Sequence, residues 1–228
     1  DAGSWTVGGM AKGAGMLAPA LATMLVVITT DADVDAAAAS TALREATRTT
    51  FDRIDSDGCM STNDTVLLMA NGAAGVRPGA AEFTDALRAV CADLARALIA
   101  DAEGAAHDIA IEVTRAASED DAVEVARAVA RSNLFKAAVF GNDPNWGRVL
   151  ASAGTSSAAF DADDVSVSFN GVWVFRRGAL GDDRSLVDLA SSRDVDVTVD
   201  LVAGTASATL WTNDLTYDYV KENAEYSS

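Results

Sequence analysis

Cysteine, lysine and long apolar runs are all scarce in this chain. The two cysteines, Cys59 and Cys91, are too few for a disulfide framework and lack metal-ligand spacing. They read as ordinary thiols in a reducing cytoplasm. No apolar stretch reaches the roughly 18 residues needed to cross a bilayer; the densest, Met24 to Ile28, is far shorter. The start shows no signal-peptide pattern and no initiating Met. Only Lys12, Lys136 and Lys221 stand beside 14 arginines, and the 17 bases face 34 acids, 26 of them Asp. A net charge of −17 repels nucleic acid and anionic membranes, so neither is expected as a partner. An Asp-rich, Lys-poor surface also suits very high salt, where screening removes self-repulsion. Internal repeats and low-complexity linkers are missing too.

What remains is 228 residues, half of them hydrophobic. That is enough for a sizeable core in one large domain or two small ones. The most informative stretch runs from Lys12 through Gly13, Ala14, Gly15, Met16, Leu17, Ala18, Pro19, Ala20, Leu21, Ala22, Thr23 and Met24 to Leu25. Its Gly/Ala-rich part reads as a flexible, poorly structured segment holding Lys12. The Gly-x-x-x-x-Gly-Lys-Ser/Thr phosphate loop is absent. Thr23 falls between this segment and an apolar run that reads as a buried strand, Thr23 to Thr30. A strand mouth fixes a nucleophile. The Thr23 hydroxyl can also attack the Ala22 carbonyl through a five-membered ring, and hydrolysis of the ester frees the Thr23 α-amine. That amine titrates at about 7.7 and can serve as base for its own hydroxyl.

Periodicity predicts a helix from Asp35 to Ile54, with Leu43, Ala46, Thr50, Phe51 and Ile54 on one face. A polar loop, Asp55 to Asp64, leads to a second buried strand, Thr65 to Ala70. Ala80 to Ile99 is a helix with Phe83, Leu87, Val90, Leu94 and Leu98 on one stripe. Ile109, Ile111 and Val113 mark a half-buried strand, and Glu119 to Arg131 a helix. Trp5 to Val7 is a short first strand. Asn170-Gly171 between Val165–Phe169 and Val172–Phe175 is the strongest hairpin signal. Strands at Val195–Leu201 and Thr205–Trp211 and a helix at Leu215–Ala224 close the chain. The strand Thr23–Thr30, its helix and the strand Thr65–Ala70 form one parallel crossover candidate. Helices between strands, followed by hairpins, define an α+β class.

Several motifs have a family likeness. The Lys12–Leu25 stretch resembles the self-processing site of ornithine acetyltransferases, the bifunctional glutamate N-acetyltransferases of arginine biosynthesis. So do Thr49-Thr50-Phe51-Asp52-Arg53-Ile54 with Asp57-Gly58, and Ser61-Thr62-Asn63-Asp64-Thr65-Val66-Leu67-Leu68. Further matches are Asp101-Ala102-Glu103-Gly104-Ala105, Phe140-Gly141-Asn142-Asp143-Pro144-Asn145-Trp146-Gly147-Arg148, Asn213-Asp214-Leu215-Thr216, and the tail through Asn223 to Ser228.

The resemblance implies an αββα-type sandwich like that of N-terminal-nucleophile hydrolases. It divides the chain into residues 1–22, the end of an upstream α portion, and 23–228, a β portion carrying the nucleophile. It implies cleavage between Ala22 and Thr23, a catalytic Thr23, and substrate contacts from Lys12, Thr23, Glu103, Asn223 and Ser228. Lys12 would hold a carboxylate as a point charge, and Glu103 the ornithine amine or the Thr23 amine. Neither metal nor bound cofactor is implied, and acetyl-CoA stays open as a second donor. Substrates would be N-acetylornithine and glutamate. The partner would be the chain's own upstream portion, in an α2β2 heterotetramer. The oxyanion hole of such enzymes comes from a Thr-Gly pair upstream, and nothing in residues 1–22 matches it.

His107, the only histidine, stands where a lysine is usual, which raises the question of a general base. Asn145 reads as a turn or cap before a helix begun by Trp146; Asn63 and Asp64 precede a strand and are candidates to line the pocket. Two other activities fit the same residues: an acyl-amino-acid transferase of specialised metabolism, and a self-processing aminopeptidase.

Overall fold

The computed structural model describes residues 3–13, 15–16 and 24–225. Ala22, Thr23 and Ser228 lie outside them. The chain divides into two compact units, one of Asp1–Ile54 with Cys59–Asp101, the other of Asp55–Gly58 with Ala102–Ser228.

The first unit holds a three-stranded sheet. Strand β1 (Val7–Lys12) runs antiparallel to β2 (Leu25–Thr30), which runs parallel to β3 (Thr65–Ala70). The parallel crossover is therefore as the sequence suggests. Val26 and Ile28 on one face of β2 are buried. Helices α1 (Ala36–Arg48) and α2 (Ala80–Ala100) complete this unit. Gly9 admits α2 to β1: a Cβ there would stand 2.9 Å from the Val27 carbonyl oxygen and 3.1 Å from Leu94.

Four expectations for this unit need correction. Lys12 does not sit in a loose Gly-rich loop, because Val7 to Lys12 pair residue by residue with Thr30 to Leu25. Ladder bonds join backbone groups, so glycine composition alone did not prevent a strand. Helix α1 ends at Arg48, followed by a short 3-10 turn, Phe51–Arg53. The Thr50 hydroxyl donates to the Ala46 carbonyl at 2.7 Å, a local bond that competes with continuing the helix. The buried stripe of α2 runs through Phe83, Leu87, Cys91, Ala95 and Leu98, so Cys91 and Ala95 replace Val90 and Leu94. Burial pushes the Cys91 thiol up to about 11, against a smaller downward pull from Thr50, which leaves it unreactive. Finally, β3 is not buried: Leu67 and Met69 are exposed.

The second unit is built on a six-stranded sheet. Its strands are β4 (Asp108–Ala116), β5 (Ser166–Phe169), β6 (Val172–Arg176), β7 (Ala179–Leu180), β8 (Asp194–Asp200) and β9 (Ala206–Asn213), in spatial order β7-β6-β5-β8-β4-β9. Four helices belong to this unit: α3 (Glu119–Ala130), α4 (Asn133–Phe140), α5 (Trp146–Ala153) and α6 (Tyr217–Glu225). Ile109, Ile111 and Val113 of β4 join Val195, Val197 and Val199 of β8 in the core. Asn170 (φ 47°) and Gly171 (φ 81°) take the left-handed conformations that a two-residue hairpin turn requires. Asn145 caps α5 by accepting from the Arg148 N–H at 3.2 Å, and Trp146 stacks on Phe175 at 4.4 Å.

Strand β4 lies between β8 and β9, parallel to β8 and antiparallel to β9. Helix α4 has no counterpart in the periodicity reading, although Ser132 caps it by accepting from Phe135 N–H at 3.3 Å.

Candidate active site

In the first unit, Lys12 is the last residue of β1, opposite Leu25 at the first position of β2. Its side chain is exposed and lines a pocket of about 520 Å3 with Ala11, Gly13, Leu94, Leu98 and Asp101. Met24, bonded covalently to Thr23, donates its N–H to Asp64 Oδ1 at 2.8 Å. The Met24 carbonyl accepts from Thr65 N–H at 2.9 Å. Both backbone groups of the residue after the candidate nucleophile are thus held. Burial moves the Asp64 carboxyl above its ordinary range, and the Met24 N–H partly opposes this. The sequence assigned Asp64 no specific role. Its signal was position, immediately before a strand.

In the second unit, Glu103 lies in the turn before β4 and Asn223 on α6. They meet across the fold: Asn223 Nδ2 donates to Glu103 Oε2 at 3.2 Å and to the Tyr219 carbonyl at 3.0 Å. With Glu222 and Glu225 they line a pocket of about 440 Å3. Three carboxylates beside one amide suit a cationic amine. The Glu103 turn is tightly built. Gly104 has φ +62°, and a Cβ there would fall 2.3 Å from the Tyr219 nitrogen, so that position needs glycine.

His107 is buried, with Nδ1 at 2.7 Å from Asp214 Oδ2 and Nε2 at 3.1 Å from the Leu189 carbonyl oxygen. Both ring nitrogens are occupied, which leaves none to take a proton from a substrate. The role of Asp214 was not read from the sequence, though it stands inside one of the quoted motifs.

A second charged cluster is centred on the buried Asp55 and Lys136. Arg131 Nε donates to Asp55 Oδ2 at 2.7 Å, Gly58 N–H to Asp55 Oδ1 at 2.8 Å, and Lys136 Nζ to the Ser56 carbonyl. Tyr219 donates its hydroxyl to Asp57 Oδ2 at 3.2 Å. Among the described residues no cluster of His, Cys, Asp and Glu could hold a metal ion, and no helix is long and apolar enough to cross a membrane.

Helices combined with one three-stranded and one six-stranded sheet define a protein of the α+β class. The family model of the ArgJ family matches residues 1–228, and the chain belongs to that family, the ornithine acetyltransferases. It is 65% identical over 224 residues to the arginine biosynthesis bifunctional protein ArgJ of Streptomyces avermitilis and 62% identical to that of Thermobifida fusca. Each alignment covers 98% of this chain and 58% of the relative, so the chain spans little more than half the length of these curated relatives. The crystal structure of the arginine biosynthesis bifunctional protein ArgJ from Bacillus halodurans superposes with a TM-score of 0.83 at 35% identity. That match covers 89% of this chain and 98% of the solved one.

Proposed function

We propose that this chain is the nucleophile-bearing part of an enzyme that moves an acetyl group from N-acetylornithine to glutamate in arginine biosynthesis. The observation that carries the reading is the contact between Glu103 and Asn223 in an acidic pocket. It offers a carboxylate to the cationic amine of ornithine, while Lys12 offers a positive charge to a substrate carboxylate. Thr23 Oγ attacks the acetyl carbonyl, its proton passing to the Thr23 α-amine. The C–N bond breaks, that proton goes to the departing amine, and ornithine leaves. The glutamate amine then attacks the acetyl ester, the C–O bond to Thr23 Oγ breaks, and the proton lost by the amine passes to Oγ, which restores Thr23. Ser228 contributes a further substrate contact. No metal or bound cofactor takes part, and acetyl-CoA is a candidate alternative donor.

The α-amine requires scission between Ala22 and Thr23, making residues 1–22 the end of the upstream portion and 23–228 the β portion. Size supports this division. The match of 89% of 228 residues is about 203, and these are 98% of the solved chain, which therefore holds about 207. Residues 23–228 number 206. The partner is the upstream portion of the same polypeptide, in a cytoplasmic α2β2 assembly.

The test is incubation of the full-length protein with N-acetylornithine, followed by peptide mass analysis and a glutamate chase. Acetylated Thr23 that disappears as N-acetylglutamate forms supports the reading. The absence of both acetylated Thr23 and product overturns it.

A further inference from the structure

The turn that carries Glu103 is tied to the segment that carries Asn223 by a continuous series of contacts, all within the second unit. Asn213 Nδ2 donates to the His107 carbonyl at 3.2 Å and to Asp108 Oδ1 at 3.0 Å. Asp214 Oδ1 accepts the N–H groups of Ala106 and His107, each at 2.9 Å, while Oδ2 takes the His107 ring at 2.7 Å. Thr216 donates its hydroxyl to the Gly104 carbonyl at 2.6 Å and accepts from Tyr219 N–H at 3.0 Å. The Tyr219 carbonyl then holds Asn223, whose amide reaches Glu103.

One carboxylate with a fully buried side chain thus gathers three donors from the turn. The ring of His107 faces two acceptors, the Asp214 carboxylate and the Leu189 carbonyl oxygen. Each ring nitrogen thus faces an oxygen acceptor, and a proton on both would let the ring donate to both. The other charges beside it are Asp108 and Arg193, which pair at 2.9 Å; Arg193 also donates to the Ala105 carbonyl at 3.0 Å.

We infer that His107 and Asp214 form a clasp that positions Glu103 and Asn223 for substrate, with His107 a positioning residue and not a base. The inference rests on the acetyl-transfer reading for its kinetic consequence, but the clasp itself can be measured without substrate. A buried charge-assisted pair that organises a turn costs binding when broken, because the turn must then be ordered by the ligand.

The experiment uses the full-length processed protein and the variants His107→Gln, Asp214→Asn and His107→Lys. Hydrogen exchange is followed at amides 104–107 and 217–223, and KM for N-acetylornithine is measured separately from kcat. In His107→Gln and Asp214→Asn, exchange should accelerate at these amides and not elsewhere. KM should rise roughly tenfold, the scale of one charge-assisted hydrogen bond, with kcat changed much less. His107→Lys, which keeps a cationic donor, should restore most of the KM. Unchanged exchange in both neutral variants overturns the clasp, as does a kcat loss at constant KM. A Lys variant no better than Gln overturns the role of the charge. If wild-type protein transfers no acetyl group, the activity reading falls and local exchange alone decides the clasp.

Discussion

The Asp64 carboxylate accepts the backbone N–H of Met24 at 2.8 Å, across 40 residues of sequence. Met24 is the first described residue after Thr23, and its carbonyl is claimed by Thr65. The backbone that leads away from the candidate nucleophile is therefore anchored before β2 begins.

Replacing Asp64 with Ala should slow scission before Thr23 in the full-length protein by about tenfold. A hydrogen bond to a charged group contributes about 1.5–3 kcal/mol, and the lower end applies to a group only partly buried. Asp64→Asn keeps an acceptor oxygen and should lose less. A gel time course measures both, and a wild-type rate in Asp64→Ala removes any role for this anchor.

Lys12→Ala and Glu103→Gln should each lower kcat/KM for acetyl transfer with little effect on the melting midpoint. Losing one charged partner costs about 2 kcal/mol at the low end, or roughly thirtyfold. Steady-state kinetics on fully processed variants are decisive. Wild-type values in both would detach these side chains from the substrate.

Much of the fold is legible in local chemistry. Asn170-Gly171 dictates its hairpin, and the alternation in β4 marks its buried face. Ends and distant pairings are less legible. Thr50 could have continued a helix, and only its bond back to Ala46 shows that it does not. Nothing near β4 says that β8 and β9 will flank it. The site divides in the same way. Motif likeness picks out Lys12, Thr23, Glu103, Asn223 and Ser228, whereas composition alone leaves a surface lysine and a polar tail. The contact of Asn223 with Glu103 spans 120 residues, and that of Asp214 with His107 spans 107, beyond the reach of any local pattern.

Asp55 gives a prediction with a definite sign. Its burial raises the carboxyl above 3.8, and Arg131, Gly58 and Lys136 only partly lower it. The folded state therefore holds this proton more tightly than the unfolded chain does. Stability contributed by the protonated form is lost as pH rises through the raised value. The stability of wild type minus that of Asp55→Asn should fall as pH climbs from about 4 towards 7. Urea melts at several pH values measure it, and a difference that rises with pH would mean that the ion pair outweighs burial. Asp55→Ala, which leaves a partly exposed Arg131 without this counter-charge, should cost about 1–2 kcal/mol.

Molar KCl should raise the melting midpoint. A chain at −17 repels itself, and about 1 M salt shortens the screening length to roughly 3 Å. Exposed pairs such as Arg77–Asp33 weaken in salt, but each contributes little. Every kcal/mol regained moves the midpoint by about 2–4 °C. Sodium perchlorate serves as the control against salting-out. A flat or falling midpoint in KCl would make the acidity unrelated to salt tolerance.

The position of β4 between β8 and β9 has a consequence for biosynthesis. During translation β4 leaves the ribosome some 80 residues before β8, so for that interval both its edges carry unpaired backbone groups and a row of Ile and Val. Such a strand is a template for wrong partners until the last quarter of the chain has emerged. The chain is therefore most exposed to misassembly late in synthesis, and any truncation before Ala206 makes that hazard permanent.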